Sequence, residues 1–575
     1  MKKYIIYILM MPVFMLATSC NEDEFLTQVN PNSITTDVFW KTSDDFENAL
    51  YTVYGALQFP SVTGPQAANE WALGDIGGSE TWMGPYVFKN LAMNDASDHV
   101  KNKWNELYVG IFRANQVIEN IQNAEIGDSE KTLIVAQARF LRAFYYFELV
   151  NTYGGAVVHT VVPILDEDFK KPFESLDVVN TNVIIPDLEF AKANLDGVVW
   201  TGNDVGRATW GAATALLGKV YLYDNDWTKA ATEFKEIIDS GIYSLTPKFM
   251  DNFTDQNEFN KESIFEAAYS AVAGDTGANG ATIDTTPSEI GSEAYTLDAF
   301  IGQLNSGGYN SVLASYYLHE LFYNDEMDPS NSINNGFNES QRTHATLLTK
   351  ESDGTYYSVE ADVMKGFGYA QSAYIKKNTN WYQWELINTT NARSGINKRL
   401  IRYADVLLMY AEAILNANGA AATAEAITYI DMIRSRAGVI TIQGYLDNNS
   451  NTFPAMNVSK VVNGTYNMVA PSADNLLTHI RMVERPLELC FEGHRWRDLR
   501  RWGITKTVLT DRLADEQWFL ANWDAIRNTP PFYFVDEAQR VRTDYAVCAN
   551  SYSPATHDYF PLPTDEVQVN SGLSN

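Results

Sequence analysis

The sequence predicts a mainly α-helical fold, in which a scaffold of tetratricopeptide-like helical hairpins carries long, loop-rich insertions and a few short strands. Apolar residues recur at helical spacing in long blocks near both ends of the chain. Between about Thr246 and Lys398 the chain is instead rich in Gly, Asn, Ser, Thr and aromatic residues, which is typical of loops and short strands. Of the 575 residues, 45% are hydrophobic and 20% are charged, so the chain can bury a sizeable core.

Several stretches have apolar residues at the helical period, and we expect each to form a helix. They are Ser43–Phe59, Val100–Ala124, Glu130–Thr152, Thr181–Leu195, Trp210–Asp224, Lys229–Ser240, Ile401–Ala417, Ala422–Ala437 and Ser472–Trp502. One pair also matches the tetratricopeptide pattern, with Leu217-Gly218-x2-Tyr221 in the first helix and Ala230-x3-Phe234 in the second. Small residues at such positions let two antiparallel helices cross closely, so we interpret these hairpins as scaffold.

The first residues have the features of a secretory signal. Lys2 and Lys3 precede an uncharged apolar stretch, Tyr4–Ala17, that is too short to span a bilayer. Small residues then lead to Cys20, and this arrangement resembles a lipobox, where a bacterial signal is cut and the new N-terminal cysteine is acylated. The acidic run after Cys20 resembles the signal that sends such lipoproteins to the cell surface. We therefore predict a lipid anchor at Cys20 and a location on the outer membrane, exposed at the cell surface.

These features divide the chain into five predicted parts. Residues 1–19 form a lipoprotein signal peptide, and residues 20–45 form a lipid-anchored tether with the N-terminal segment. Residues 46–245 form an N-terminal helical region with tetratricopeptide-like repeats. Residues 246–398 form a loop-rich insertion that faces the ligand, and residues 399–575 form a C-terminal helical region.

Charge and cysteine content exclude several classes of function. The formal net charge is −30 at pH 7, and removal of residues 1–19, which carry two lysines and no acid, makes it −32 (40 basic minus 72 acidic residues). Nucleic acid and anionic membrane surfaces would be repelled. Only Cys490 and Cys548 follow the anchor, too few for a disulfide framework, and the histidines lack metal-ligand spacing. We predict no metal and no cofactor.

A series of blocks, spread over nearly the whole mature chain, resembles the SusD/RagB family. In order, the main blocks are Ala136–Gly155, Gly206–Tyr221, Arg402–Ala413, Ile433–Gly438, Glu484–Trp502 and Tyr559–Pro563. The most specific is Glu484–Trp502, with the sequence ERPLELCFEGHRWRDLRRW, which we call the signature block. Pro486 departs from the family pattern because it stands where a helix would normally continue. We expect a kink there or a helix that begins there.

The resemblance implies a binding protein without catalytic activity. Members of this family capture glycan at the cell surface and deliver it to a TonB-dependent outer-membrane transporter of the SusC type, so a glycan and such a transporter are the implied partners. Two alternatives stay open at the level of sequence. The chain could be a glycoside hydrolase, which needs only two suitably spaced carboxyl groups. It could also be a transporter lid that handles peptide or another non-glycan cargo.

The signature block itself could suggest catalysis. Glu488, Glu492, His494 and Asp498 place carboxylates and an imidazole within a few helical turns, as an acid–base or metal site would. However, each acid has an arginine of the same block at helical spacing, and such interleaving is typical of ion pairs that lock helices together. We therefore expect a structural ion-pair network there.

Sugar capture requires aromatic faces exposed on a rigid frame, flanked by amides and acids that bind hydroxyl groups. Aromatic residues within Gly-, Asn- and Ser-rich segments are the best candidates. Two regions qualify, one around Trp71–Tyr86 and one that comprises Tyr295–Tyr317 with Trp381–Trp384. The candidate glycan-binding residues are Trp71, Asp75, Trp82, Tyr86, Tyr309, Asn310, Trp381 and Trp384.

Overall fold

The computed structural model describes residues 39–272, 293–302, 308–360, 370–383, 394–456, 459, 467–533 and 541–574. Long helices dominate both ends of the chain, and short two-stranded sheets lie among them, which confirms the predicted mainly α-helical class. Within the described ranges, no helix is both long enough and apolar enough to cross a membrane.

The N-terminal part is a stack of helices that pack mainly on their neighbours in the chain. These helices are α1 (Ser43–Gly55), α2 (Tyr86–Lys89), α3 (Asp98–Asn120), α4 (Asp128–Tyr153), α5 (Leu176–Val179), α6 (Ile185–Leu195), α7 (Trp210–Tyr223) and α8 (Trp227–Ser240). Helix α3 packs against α4, α4 against α6, α6 against α7, and α7 against α8. The helices expected in this half are present, with ends that differ from the expected ones by a few residues.

The α7–α8 hairpin has the close crossing that the tetratricopeptide pattern predicts. Thr209 caps the start of α7 and Asp226 caps the start of α8, each with a side-chain oxygen that accepts a backbone N–H. Gly218 lies at the crossing, where an added Cβ would be only 2.6 Å from Cε1 of Phe234. Any larger residue at position 218 would push the two helices apart, so this glycine sets their separation.

The strands are short and pair in antiparallel twos. The pairs are β1 (Gly77–Gly78) with β5 (Leu313–Ala314), β2 (Gly155–Val157) with β3 (Phe173–Ser175), β4 (Ser263–Ala267) with β10 (Lys398–Arg402), β6 (Leu347–Leu348) with β9 (Tyr374–Ile375), β7 (Thr355–Tyr356) with β8 (Val359–Glu360), β11 (Phe453–Pro454) with β12 (Met468–Val469), and β13 (Asn528–Thr529) with β14 (Phe532–Tyr533). Most described strands of residues 246–398 have only two residues, as the loop-rich composition predicts. Short helices α9 (Leu297–Ile301), α10 (Tyr316–Asn324) and α11 (Gln341–Thr346) lie between them.

The C-terminal part returns to helices and completes the core. They are α12 (Tyr403–Asn418), α13 (Thr423–Ala437), α14 (Ile442–Asn448), α15 (Ala473–His479), α16 (Arg485–Leu489), α17 (Arg495–Arg501), α18 (Thr505–Ala521), α19 (Trp523–Ile526), α20 (Ala546–Ser551), α21 (Pro554–His557) and α22 (Thr564–Val569). Helix α12 packs against α8 of the N-terminal part as well as against α13. One apolar core therefore runs through both parts, from Phe46 on α1 to Phe560.

Two prolines follow π-helical turns in the same way. Pro486 is the second residue of α16, and a π-helical turn, Ile480–Glu484, precedes this helix. Pro186 is likewise the second residue of α6, after the π-helical turn Asn180–Ile184. The backbone on both sides of each π-helical turn keeps right-handed helical φ and ψ, so the helix continues through the turn into the proline. A π-helical turn is a local change in the hydrogen-bond spacing of a helix, and a proline, which has no N–H to donate, follows it closely here. The irregularity expected at Pro486 is therefore present as a π-helical turn, and no separate helix begins at Pro486.

The prediction of one helix over Ser472–Trp502 is wrong, because the chain turns between α16 and α17. Phe491 has a φ of 59° and Gly493 a φ of 96°, both in the left-handed region. Glycine adopts that region easily, but phenylalanine does so at a cost that its buried position must offset. Because of this turn, Glu488 and His494 do not lie on one helix, and their side chains do not have the relative orientation that a continuous helix would give.

Candidate functional site

Two regions that the sequence nominates separately meet at the β1–β5 pair. Gly78 of β1 lies opposite Leu313 of β5 in the antiparallel register. Trp82 follows Gly78 by four residues and Tyr309 precedes Leu313 by four. Because the strands are antiparallel, the segments that carry Trp82 and Tyr309 leave the same end of the pair.

The side chains at this end of the pair are exposed aromatic rings. Trp82 is 59% exposed and Tyr309 is 64% exposed, whereas Tyr86 is half-buried at the first position of α2. Aromatic rings held on a rigid frame can stack on the apolar C–H face of a sugar. We call Trp82, Tyr86 and Tyr309 the aromatic surface, and it is the candidate functional site.

Backbone hydrogen bonds hold the segment that carries Tyr309. The Tyr309 N–H donates to the carbonyl oxygen of Ala299 at 2.7 Å, and the Asn310 N–H donates to that of Gly302 at 2.8 Å. Asn310 has a φ of 50°, a conformation that asparagine adopts more readily than most residues, and its side chain is buried. Asn310 therefore shapes the turn beneath Tyr309, and we remove it from the residues available for ligand contact.

Asp75 supports β1 from inside the protein. Its carboxylate accepts two hydrogen bonds from the Arg495 guanidinium, at 2.7 and 2.8 Å, across 420 residues of sequence. Burial alone would raise the pKa of Asp75, but the charge of Arg495 more than offsets it, so this pKa lies below the ordinary value. Lys89 holds the same segment by donating to the carbonyl oxygens of Gly74 and Gly77. Asp75 thus positions β1 and is fully buried from any ligand.

The two other described tryptophan candidates are also buried. Trp71 is 6% exposed, and Lys398 and Phe491 pack on its ring. Trp381 is 7% exposed, and the Lys376 Nζ lies 3.9 Å from its ring centroid. Neither ring presents a free face, so both leave the list of candidate stacking residues.

Two residues named by the sequence, Cys20 and Trp384, lie outside the described residues. The lipid anchor and a stacking role for Trp384 therefore remain predictions.

The signature block forms the expected ion-pair network. Arg402 of β10 donates to Glu262 at 2.7 Å, to Glu488 at 2.7 Å and to Glu492 at 2.8 Å. Arg436 of α13 also contacts Glu262, at 2.7 Å, and Glu488, at 2.5 Å. We call these five residues the Arg402 network. They are all buried, and they join β10, α13 and the signature block in one cluster.

The electrostatics of the Arg402 network, and of His494 two residues after Glu492, are those of a structural cluster. Burial would raise the pKa of Glu262, but Arg436 and Arg402 more than offset it and lower the pKa to about 2. Burial and the charge of Lys219 lower the pKa of His494 to about 3, so this imidazole is neutral at pH 7. A general acid would need a pKa near the working pH, and neither group has one.

Four other carboxyl groups have raised pKa values, and of these Glu106 and Asp298 are buried, Glu258 is half-buried and Asp224 is exposed. Full or partial burial of the carboxyl group raises the pKa of Glu106 and of Glu258 to about 7, and that of Asp298 and of Asp224 to about 6. Each accepts hydrogen bonds from its own local donors, for example Asp298 from the Tyr357 hydroxyl. In the described part of the chain, no two of the four share a donor. This arrangement is typical of single structural acids and unlike a converging catalytic pair.

The signature block lies in the part of the chain that matches a known family. Residues 261–575, more than half of the chain, match the SusD family. The chain belongs to the SusD family. Residues 24–222 match a second family description, starch-binding associating with outer membrane. The resemblance inferred from the sequence blocks is thereby confirmed.

Similar proteins cover almost the full length of this SusD-family chain. SusD-like protein P25 of Formosa agariphila is 24% identical over 98% of this chain and 96% of its own length. The crystal structure of a SusD superfamily protein from Bacteroides vulgatus has a TM-score of 0.69 and 21% identity, and the match covers 93% of this chain and 98% of that one. Surface glycan-binding protein A from Bacteroides thetaiotaomicron, solved in complex with laminarihexaose, has a TM-score of 0.64 and 18% identity, over 92% and 98%. These solved structures share the fold.

The SusD-family chain also has an apolar cleft that the sequence analysis did not predict. The cleft has a volume of about 660 Å³ and lies between α3, the segment that follows β2, and α22. Phe112, Phe169 and Val569 line it, and each is exposed by 38% or more. Ile164 and Leu165 beside it are 80% and 65% exposed. The run Val161-Val162-Pro163-Ile164-Leu165 could have indicated this cleft from the sequence. Its apolar residues follow neither the helical nor the strand spacing, and apolar residues of that kind are expected at interfaces.

Proposed function

We propose that this SusD-family chain is a non-catalytic surface lipoprotein that captures poly- or oligosaccharide and passes it to a SusC-like TonB-dependent outer-membrane transporter. The observation that carries the proposal is the aromatic surface, where Trp82 and Tyr309 are exposed at the same end of the β1–β5 pair. The laminarihexaose complex of a protein with the same fold supports glycan as the ligand class. A binding role without hydrolysis agrees with the paired state of the acids in the signature block.

Membrane attachment in this proposal is through Cys20. The apolar stretch before Cys20 and the small residues at positions 17–19 support cleavage and acylation there. The family description of outer-membrane association agrees with that location. Acyl chains contribute about 0.8 kcal/mol per buried methylene, so several chains on one cysteine would hold the folded part at the surface.

The first experiment is calorimetry on residues 21–575 against a panel of plant, host and microbial polysaccharides that includes laminarin. Reducing-sugar release is followed in the same mixtures. We expect saturable binding to at least one glycan with no release above the protein-free control. Steady release of reducing ends would instead indicate a glycoside hydrolase. Binding to none of the glycans would favour a transporter lid that handles peptide or another cargo.

The apolar cleft supports a protein partner in addition to glycan. Exposed aliphatic side chains such as Ile164 and Leu165 are costly in water unless a partner covers them. The rim carries a net negative charge, because Asp166, Glu566 and Lys170 line the cleft and Glu167 beside them pairs with Lys170 at 3.5 Å. Another copy of this strongly acidic chain would be repelled. We therefore assign the cleft to the transporter, through a segment with apolar side chains flanked by basic residues.

Charge substitutions in the cleft should separate transporter docking from glycan binding. The double variant Ile164→Asp with Leu165→Asp is expected to reduce co-purification of a TonB-dependent transporter from detergent-solubilised outer membranes of the native host by at least about tenfold, because two buried charges oppose docking. Val199→Asp, at an aliphatic residue that is 81% exposed elsewhere, is the matched control and should co-purify normally. Equal transporter recovery with both variants would remove the cleft from the proposed interface.

A further inference from the structure

A small cavity, partly open to solvent, lies between the N-terminal helices and the signature block. Its volume is about 80 Å³, which is more than a single water molecule or small ion needs. The lining includes four cationic side chains, Lys103, Lys219, Lys398 and Arg497, and the ring of Trp71. The cavity is distinct from the aromatic surface and from the apolar cleft, and neither proposed role explains it.

Two of the four cations form close ion pairs with acids that line the same cavity. Lys103 Nζ lies 2.5 Å from Glu70 Oε1. Arg497 makes a two-point contact with Glu148, at 2.7 and 2.6 Å. These pairs leave little attraction for a further anion, so the other two cations decide what the cavity can bind.

Lys219 forms only a long ion pair with a carboxylate that it shares with another cation. Its Nζ lies 3.3 Å from Asp405 Oδ2, and Asp405 also accepts a shorter hydrogen bond, 2.6 Å, from Arg485. The second neighbour of Lys219 is Nδ1 of His494 at 3.4 Å, and the low pKa of His494 keeps that ring neutral. Lys219 therefore shares one carboxylate with an arginine and retains donor capacity toward the cavity.

Lys398 is the decisive residue. It is only 8% exposed, and among the described residues no acceptor lies within hydrogen-bond distance of its Nζ. Its Nζ lies 4.9 Å from the ring centroid of Trp71, which lines the same cavity, so the ammonium lies at the cavity wall. Burial lowers the pKa of Lys398 to about 8, which still leaves the group mostly charged at pH 7. A buried ammonium with three N–H donors and no acceptor requires a partner.

We propose that this cavity binds a small inorganic anion of the halide class between Lys398 and Lys219. Glu492, the remaining carboxylate of the lining, already contacts Arg402 and Lys377, at 2.8 and 2.6 Å. The bound anion completes the charge balance of the cavity and ties β10 to α7, which carry Lys398 and Lys219. The site does not depend on glycan capture, and it holds whether or not the chain binds sugar.

The test compares thermal unfolding of residues 21–575 in sodium chloride and in sodium gluconate at equal ionic strength. Chloride is expected to raise Tm by about 1–3 °C over gluconate, and the rise should grow with the logarithm of the chloride concentration once it exceeds the dissociation constant, because the ion binds only the folded state. Lys398→Met should abolish this difference. Lys376→Met is the matched control, since Lys376 is also buried beside a tryptophan ring but does not line the cavity, and it should keep the chloride effect.

A second measurement keeps the proposal testable if a variant fails to fold. Crystals of the unaltered protein grown in sodium bromide should show an anomalous peak beside Lys398 Nζ. Water alone at that position would overturn the proposal. So would identical Tm values in chloride and gluconate, or a chloride effect that Lys398→Met leaves intact.

Discussion

Replacement of Arg402 by methionine is expected to lower the free energy of unfolding by about 3–5 kcal/mol, the range for loss of one partner from a buried ion pair. Arg402 is 1% exposed and contacts three carboxylates, Glu262, Glu488 and Glu492. Without the guanidinium, these acids would be buried close together with too few cations, although Arg436 and Lys377 would remain. The measurement is urea unfolding followed by circular dichroism at pH 7.

The control for this prediction is an ion pair of the same kind at the surface. Lys235 pairs with Asp239 on the exposed face of α8, and Lys235→Met should change the unfolding midpoint little, because exposed pairs are screened by water. If Arg402→Met were as stable as Lys235→Met, the Arg402 network would have no dominant part in stability. The paired arginines would then need another explanation.

The sequence was sufficient to predict those parts of the fold that depend on local pattern. The helical periods predicted most long helices, and Gly218 predicted the close crossing of α7 and α8. Pro486 predicted an irregularity in the helix, which the structure has as the π-helical turn Ile480–Glu484, because a proline cannot donate the backbone hydrogen bond of a regular helix interior. The turn at Phe491 was missed, since a non-glycine residue with positive φ is held by its surroundings and leaves no mark in the periodicity.

The site was less predictable because its parts are far apart in the sequence. Trp71, Trp82, Tyr309 and Trp381 all lie in segments with similar loop-like composition, yet two are buried and two are exposed. The difference in exposure arises from the tertiary structure, because the β1–β5 pair places the segments with Trp82 and Tyr309 at the same end of the pair. Nothing in the local sequence around Gly77 identifies its partner strand, and two-residue strands are too short to show an alternating pattern.

The strongest functional consequence of this geometry concerns the aromatic surface. Trp82→Ala and Tyr309→Ala should each weaken glycan binding by roughly thirtyfold, the equivalent of about 2 kcal/mol for a central contact residue. The double variant should show no measurable binding by calorimetry against the glycan that the unaltered protein binds. Since both rings are mostly exposed, Tm should stay within about 1 °C of the unaltered value.

Phe169→Ala provides the matched control, because Phe169 is 52% exposed but lines the apolar cleft. It should bind glycan as the unaltered protein does. The reverse result, in which Phe169→Ala loses binding and the double variant keeps it, would move glycan capture to the cleft, where aromatic rings and amides are also present. If only the double variant lost binding, either ring alone would be sufficient to hold the sugar. Comparison of the single variants with the double variant therefore shows how the binding free energy is shared between Trp82 and Tyr309.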